Sequence, residues 1–428
     1  MATRQTGAAV PVVPSWSPRV SFGLVVAAQV LLFAGSNLPT PLFPIYEHRY
    51  GFGPGVVTLL FGSYIAILVP TLVLLGPVAD RVGRRPLLVA GIAVTAISST
   101  AFAAARSLGW LYAGELSYGI ASALVMSCVS IAIRELHPTH DVAAGSLAAS
   151  VAMAVGMVLG PLTSGVLADA TPWPTTAPYV VDICLASLLS VALLRIPETR
   201  PRTGTTSARV ARLHVPSEIR PAFAGPAAMG AATFMFVGWV FGLSPSFLDD
   251  DLNVHITRPL VGGLFAALVA FAMGASQLGL RAHHGHRPGA RALFAVVAGM
   301  GTIAVSSATR CLAMAVVGGV VAGVGAGVAQ MSAMAAVQTV APPRARTGVM
   351  STYVTVCYLA LSVPVVIAGE AADHVGLATV TAWYAIAVTV VVVLALRLSR
   401  RISTGLCSEE AAPAAPPAGG MRHAAATA

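Results

Sequence analysis

Glu115 is set apart from the other ionisable residues by apolar sequence on both sides, in the run 108–133. Helical spacing puts Tyr118, Gly119 and Ser122 on its face of the helix. A carboxylate inside such a run must turn toward protein or a cavity rather than lipid. Held partly out of water, it can take up and release a proton or pair with a cation, so Glu115 is a candidate for either task. The alternative is a glutamate at the water boundary, satisfied by solvent or hydroxyls.

Further polar side chains fall into stripes. Gln29, Phe33, Ser36, Asn37 and Thr40 share a face in the first apolar run, before Pro39, Pro41 and Pro44 bend or end the helix. Ser351, Thr355, Tyr358 and Ser362 follow helical spacing near the end of the chain, and Tyr64 and Trp239 offer aromatic surface to a partly apolar ligand. Each hydroxyl or amide can equally bond a neighbouring helix, for about 0.6–2 kcal/mol. As a set, Gln29, Asn37, Tyr64, Tyr118, Ser122, Trp239, Thr355 and Tyr358 are candidates for lining a central path. No arginine stands well inside an apolar run, which argues against phosphate esters and dicarboxylates, since these need cationic partners. Neutral or cationic solutes remain. There is no phosphate-cradling loop, no nucleophile–base set and no zinc motif, so neither ATP drive, an enzyme nor a cofactor is expected. His283, His284 and His286 sit in an exposed basic stretch, and no metal site is expected there.

The elements that must hold these residues follow from composition. The 428 residues are 56% hydrophobic and only 10% charged, with a mean hydropathy of +0.81. Soluble domains carry about 25% charged residues, so this is a polytopic membrane protein. All 25 basic residues are arginines, and they fall in short segments between apolar runs, which fits membrane topology better than nucleic-acid binding. Five scattered cysteines suggest no disulfide framework. Apolar runs of spanning length recur at 20–42, 56–75, 87–105, 108–133, 142–167 and 179–194, and again at 222–248, 260–280, 292–308, 311–337, 349–368 and 377–396. Residues 1–19 read as a disordered tail, 195–221 as a basic linker and 399–428 as an unstructured Ala/Pro-rich tail. No signal-peptide layout is present at the start, so the first run is expected to stay as a helix. With the N-terminus inside, only Arg49, Arg106, Arg258 and Arg310 fall in outer loops, which predicts cytoplasmic termini in a cell membrane.

Between the second and third runs lies a dense polar knot, Gly76-Pro77-Val78-Ala79-Asp80-Arg81-Val82-Gly83-Arg84-Arg85-Pro86, read as a tight turn at the membrane surface. Its Gly76, Asp80, Arg81, Gly83, Arg84 and Arg85 match G-x-x-x-D-R-x-G-R-R, and the chain thereby resembles the major facilitator superfamily over residues 20–398. The resemblance implies an all-α membrane protein of twelve transmembrane helices in two six-helix bundles, 20–194 and 222–398, related by a pseudo-two-fold axis, working as a monomer by alternating access. It also implies that Asp80 faces the N-terminal end of the eleventh helix, near Thr347 and Gly348, as a latch, and that Arg81 extends the latch to Glu135. In the fifth run Gly156, Gly160, Pro161 and Gly165 resemble the G-x-x-x-G-P-x-x-G-G signature of proton-coupled efflux members, with Ser164 in place of a glycine. An ordinary glycine packing face is the other reading. The fourth run resembles L-x-x-x-R-x-x-Q-G-x-G-A-A, but Glu115 replaces the arginine, so the arginine's role does not carry over. By the same resemblance the sixth helix stands away from the central cavity and Asp182 is structural, while Glu370 lies near the outer mouth. Traces of duplication include Gly165 and Asp169, echoed by Gly369 and Asp373.

The expected function is export of a small neutral or cationic, partly apolar molecule in exchange for protons, with small solute, protons and membrane lipid as the only partners. Uptake or uniport of a neutral metabolite such as a sugar is the alternative. A non-transporting receptor or assembly factor on the same scaffold is the alternative of another class.

Overall fold

The computed structural model describes residues 16–199, 213–250, 252, 258–282 and 289–410, without the side chains of 76–80, 280–282 and 400–410. The first half holds α1 (Pro18–Gly35), α2 (Phe43–Tyr50), α3 (Pro54–Val82), α4 (Arg84–Ala103), α5 (Leu108–Met126), α6 (Val129–Glu135), α7 (Val142–Ala170) and α8 (Ala177–Leu193). The second holds α9 (Arg220–Gly242), α10 (Ser244–Asp250), α11 (Pro259–Ala282), α12 (Gly289–Thr309), α13 (Leu312–Val340), α14 (Arg346–Val375) and α15 (Leu377–Glu410). No strand occurs among the described residues. Among the described residues, eleven helical segments are long and apolar enough to cross a bilayer, and the 17-residue α8 is the shorter twelfth. Helices are the solution open to an unclosed chain in hydrocarbon, because each satisfies its own backbone.

Local sequence explains where the helices begin and end. Ser17 caps α1 by accepting from the Val20 N–H, and Pro18 follows at the first position. The prolines at 39, 41 and 44 break this span into α1, a 3-10 turn at Thr40–Leu42 and the short α2, which stops at left-handed Gly51 (φ +67). Likewise Pro245 follows the break between α9 and α10. The fourth span is also divided, at Ser127 and Cys128. α2 and α10 therefore lie across the same end of the molecule, the cap face; Trp16, Arg195 and Ser217 mark the opposite, termini face.

Two expectations are corrected. The polar knot is not a loop: α3 runs through it to Val82, α4 begins at Arg84, and the turn shrinks to Gly83 with φ +95. Val78 to Val82 are compatible with a helix, so only the left-handed glycine interrupts it. The tail is not unstructured from 399: α15 continues to Glu410, because no proline comes before Pro413.

Each bundle has its own core. Leu88, Ile92, Val25 and Tyr118 centre the first, and Phe236, Trp239, Met300 and Tyr353 the second. Small residues bring backbones together, the arrangement that replaces the hydrophobic effect inside lipid. A Cβ on Gly299 would strike the Gly318 carbonyl, which joins α12 to α13. Gly156 and Gly160 seat α7 on α1 against the Val30 and Ala34 carbonyls, while Pro161 is accommodated within α7. Replacing Gly160 with leucine is expected to cost at least about 1–3 kcal/mol, as overpacking does. A lowered thermal unfolding midpoint in detergent checks this, and an unchanged midpoint would refute the close α1–α7 contact.

Candidate functional site

Glu115 lies in α5, only 6% exposed. Among the described residues it receives no hydrogen bond and no ion pair. Tyr46 of α2, Tyr64 of α3, Tyr118 of α5 and Tyr179 of α8 all stand close enough for its charge to act on them. Their hydroxyls are engaged elsewhere. Tyr46 donates to Tyr179 at 3.2 Å, Tyr64 to Ser122 at 3.2 Å, and Tyr118 to the Leu32 carbonyl at 2.9 Å. Phe102 stacks on Tyr179 with ring centroids 5.0 Å apart, roofing the cluster on the cap face. The Glu115 chamber is thus a buried region that four tyrosines share within reach of the carboxylate's charge, and a proton or an organic cation would offset that charge.

A second group gathers where the bundles meet. Tyr358 of α14 points its hydroxyl at the Met126 sulfur of α5, 3.8 Å away, and packs edge-on to Phe234 of α9 at 5.8 Å. Tyr64 is near enough to couple with it. Thr355 is half-buried on the same helix and bonds back to Ser351. Gln330, which sequence reading passed over, accepts from Thr233 at 2.9 Å and Tyr353 at 3.4 Å. Its signal was an amide set inside a mostly apolar, glycine-rich run.

Other candidates are packing residues. Gln29 is 3% exposed and donates to the Ala149 carbonyl at 2.8 Å, tying α1 to α7. Asn37 donates to the Phe33 carbonyl and so closes the end of α1. Trp239 is fully buried between Phe247 and Phe265 in the second core, not on a path. Asp182 accepts from Ser99 at 2.6 Å.

The bundles are joined on the cap face. Asp373, near the end of α14, accepts from the Gly55 N–H at 3.2 Å and so caps the N-terminus of α3. Beneath it Gly369 admits Thr58, and across the pseudo-symmetric pair Gly165 of α7 meets Pro259 and Leu260 of α11. Above, Ser246 donates to Glu47 at 3.0 Å and His48 faces Asp249 at 3.4 Å. Loss of water, and after it the charge of Asp249, raise the pKa of the Asp250 carboxyl, while His48 pulls it down. Sequence reading saw the Gly369/Asp373 echo but not the partner it meets.

On the termini face Glu198 accepts from the Arg84 and Arg85 N–H groups at 2.9 and 3.2 Å, capping α4. Arg84, not Arg81, pairs with Glu135; Arg81 is exposed on the last turn of α3, ahead of Gly83. The contact expected of Asp80 lies outside the described side chains, as does that of Gly76, and the histidines at 283, 284 and 286 lie outside the described residues. The N-terminus of α14 opens at Ala345, which supplies no side-chain cap. Arg84→Ala is expected to cost about 1–3 kcal/mol, since its half-exposed partner loses a charge-assisted bond. Arg81→Ala should stay within about 0.5 kcal/mol. Thermal unfolding of the two variants checks the assignment, and the reverse order would refute it.

The chain matches the profile described as Major Facilitator Superfamily over residues 25–365. Among curated relatives, Multidrug resistance protein 1 of Bacillus subtilis is 24% identical over 270 residues, 59% of this chain and 66% of that protein. Quinolone resistance protein NorA of Staphylococcus aureus is 23% identical over 248 residues, 56% of this chain and 62% of that one. The match thus spans just under two thirds of these relatives' length. A bacterial homologue of the human lysosomal transporter Spinster, inward-facing and unoccupied, superposes with TM-score 0.69 at 17% identity, covering 95% of this chain and 100% of that one. A POT family transporter in complex with 5-aminolevulinic acid gives 0.73 at 13% identity, covering 91% and 99%. Both superpositions show a shared fold.

Proposed function

Because the chain belongs to the major facilitator superfamily, we propose that it exports a small neutral or cationic, partly apolar molecule across the cell membrane in exchange for protons. Its termini are then cytoplasmic and the cap face is external, as the arginine placement favours. The observation that carries the reading is Glu115, an acid buried among tyrosines with no partner of its own. An unpaired buried carboxylate is costly, so the state with Glu115 neutralised by a proton or a cationic solute is favoured. Proton and solute then compete for one group, which is the basis of exchange. The distant multidrug and quinolone resistance relatives support efflux as its direction.

Alternation follows from α3 and α14, which pack antiparallel. Asp373, at the end of α14, holds the N-terminus of α3 on the cap face. Asp80, near the end of α3, is the acid available to the N-terminus of α14 on the other face. The two clasps exclude one another as the bundles rock about the Tyr358–Met126 contact. Gly156, Gly160, Pro161 and Gly165 act as a hinge in that motion, the first two seated on α1 and the last two against α11.

Two experiments test this. In proteoliposomes with an imposed proton gradient, the partly apolar cation ethidium is expected to move opposite to protons. Glu115→Gln should lower that flux about tenfold or more with folding intact. Flux in the same direction as protons would overturn export and favour uptake, and unchanged flux in the variant would remove Glu115 from the mechanism. Asp373→Asn removes a helix-end charge worth about 1 kcal/mol, so opening of the cap face should rise about fivefold. Alkylation of Thr58→Cys reads that opening; an unaltered rate would dispose of the clasp.

A further inference from the structure

A groove of about 900 Å³ runs along the first bundle between α1, α7 and α8. Its edges carry apolar side chains that stand out from the protein, Leu185 (51% exposed) and Leu188 (70%) among them, so it opens sideways into the bilayer. On α1 its wall recedes at Gly23, where an added Cβ would meet nothing. The hydroxyl of Thr163 is spent on its own helix, donating to the Leu159 carbonyl at 2.6 Å.

One acid stands in this wall, Asp182. It is 4% exposed, takes a single hydrogen bond, from Ser99 to Oδ2, and among the described residues has no cationic partner. Oδ1 lies over Gly35, where a Cβ would sit 3.2 Å from it and would also strike the Tyr118 hydroxyl. That hydroxyl is already donated to Leu32. An acid at this depth is expensive and calls for a counter-charge. Acyl chains alone would fill the groove and leave Asp182 unmet, and a fatty acid would add repulsion. An amphipathic amine answers both features. From Asp182 to Ala192, at the far end of the groove, α8 rises about 15 Å, the reach of a dodecyl chain.

We propose that the groove is a binding site for long-chain ammonium ions drawn from the bilayer, with the cationic head on Asp182 and the hydrocarbon lying along α1 toward Gly23 and Ala192. The site is separate from the Glu115 chamber and does not rest on the transport reading.

The test uses the full chain in phosphatidylcholine nanodiscs, with radiolabelled dodecyltrimethylammonium as probe, dodecanol as its neutral counterpart, and protein-free nanodiscs as background. Saturable one-to-one binding of the ammonium ion is expected. Asp182→Asn keeps the side-chain shape and should weaken ammonium binding about fivefold or more while leaving dodecanol unchanged. Leu185→Trp, at an exposed edge, should obstruct the groove and weaken both probes, which keeps the test decisive if the asparagine variant does not fold. Phe294→Ala, on the exposed face of α12 in the other bundle, should leave ammonium binding unaltered. No saturable binding above background, a smaller loss in either groove variant, or loss on Phe294→Ala with Asp182→Asn unaffected would each overturn the assignment.

Discussion

Hydrocarbon supplies no hydrogen bonds, and every polar group this chain carries into the bilayer must find its partner within the chain. Most do so locally. Serines and threonines return their hydroxyls to carbonyls one turn back, as Ser117, Thr163, Ser332 and Thr355 do. Gln29 and Ser164 reach across to backbone carbonyls of neighbouring helices. A few buried atoms, among them Gln29 Oε1, Ser190 Oγ and Trp239 Nε1, go without a bond, and two buried acids lack a cationic partner among the described residues: Glu115 in its chamber and Asp182 in the wall of the lateral groove.

The same constraint explains how the halves hold together. With lipid as apolar as leucine, contact between bundles must come from close backbone approach and from a few directed polar bonds. Gly165 and Gly369 supply the approach, and Asp373 supplies the bond by answering N–H groups that α3 cannot satisfy itself. Glu198 does the same for α4, but inside one bundle, where it stiffens rather than switches. Helix ends thus make polar joints both within one bundle and between the two.

The fold was largely legible in the sequence because hydropathy and the polar knot report a property of single segments. Spans broken by Pro44 and Pro245 were legible in part, since proline acts on its own neighbourhood. What escaped depends on partners remote in the chain. Nothing near Glu198 announces that it caps a helix beginning at Arg84. Trp239 looked like cavity surface because an aromatic side chain in an apolar run carries no sign of which way it turns; its neighbours Phe247 and Phe265 decide that. The density of glycine and arginine in 76–86 imitated a loop, although helical backbone continues beneath it. Glu115 was readable as an anomaly with Tyr118 on its face, while the tyrosines brought to it from α2, α3 and α8 were not.

The short caps α2 and α10 each follow a break at the end of the first span of their half, and they meet over the cap face. Such a meeting of counterparts is the intramolecular equivalent of an isologous dimer contact, in which each patch faces its own copy. On the register that sets Pro44 beside Pro245, identical halves would have set His48 against a second histidine. The present pair of His48 with Asp249 is attractive only because the two positions differ. The charge that draws this face together therefore rests on a difference between the halves, and a histidine at 249 would remove it.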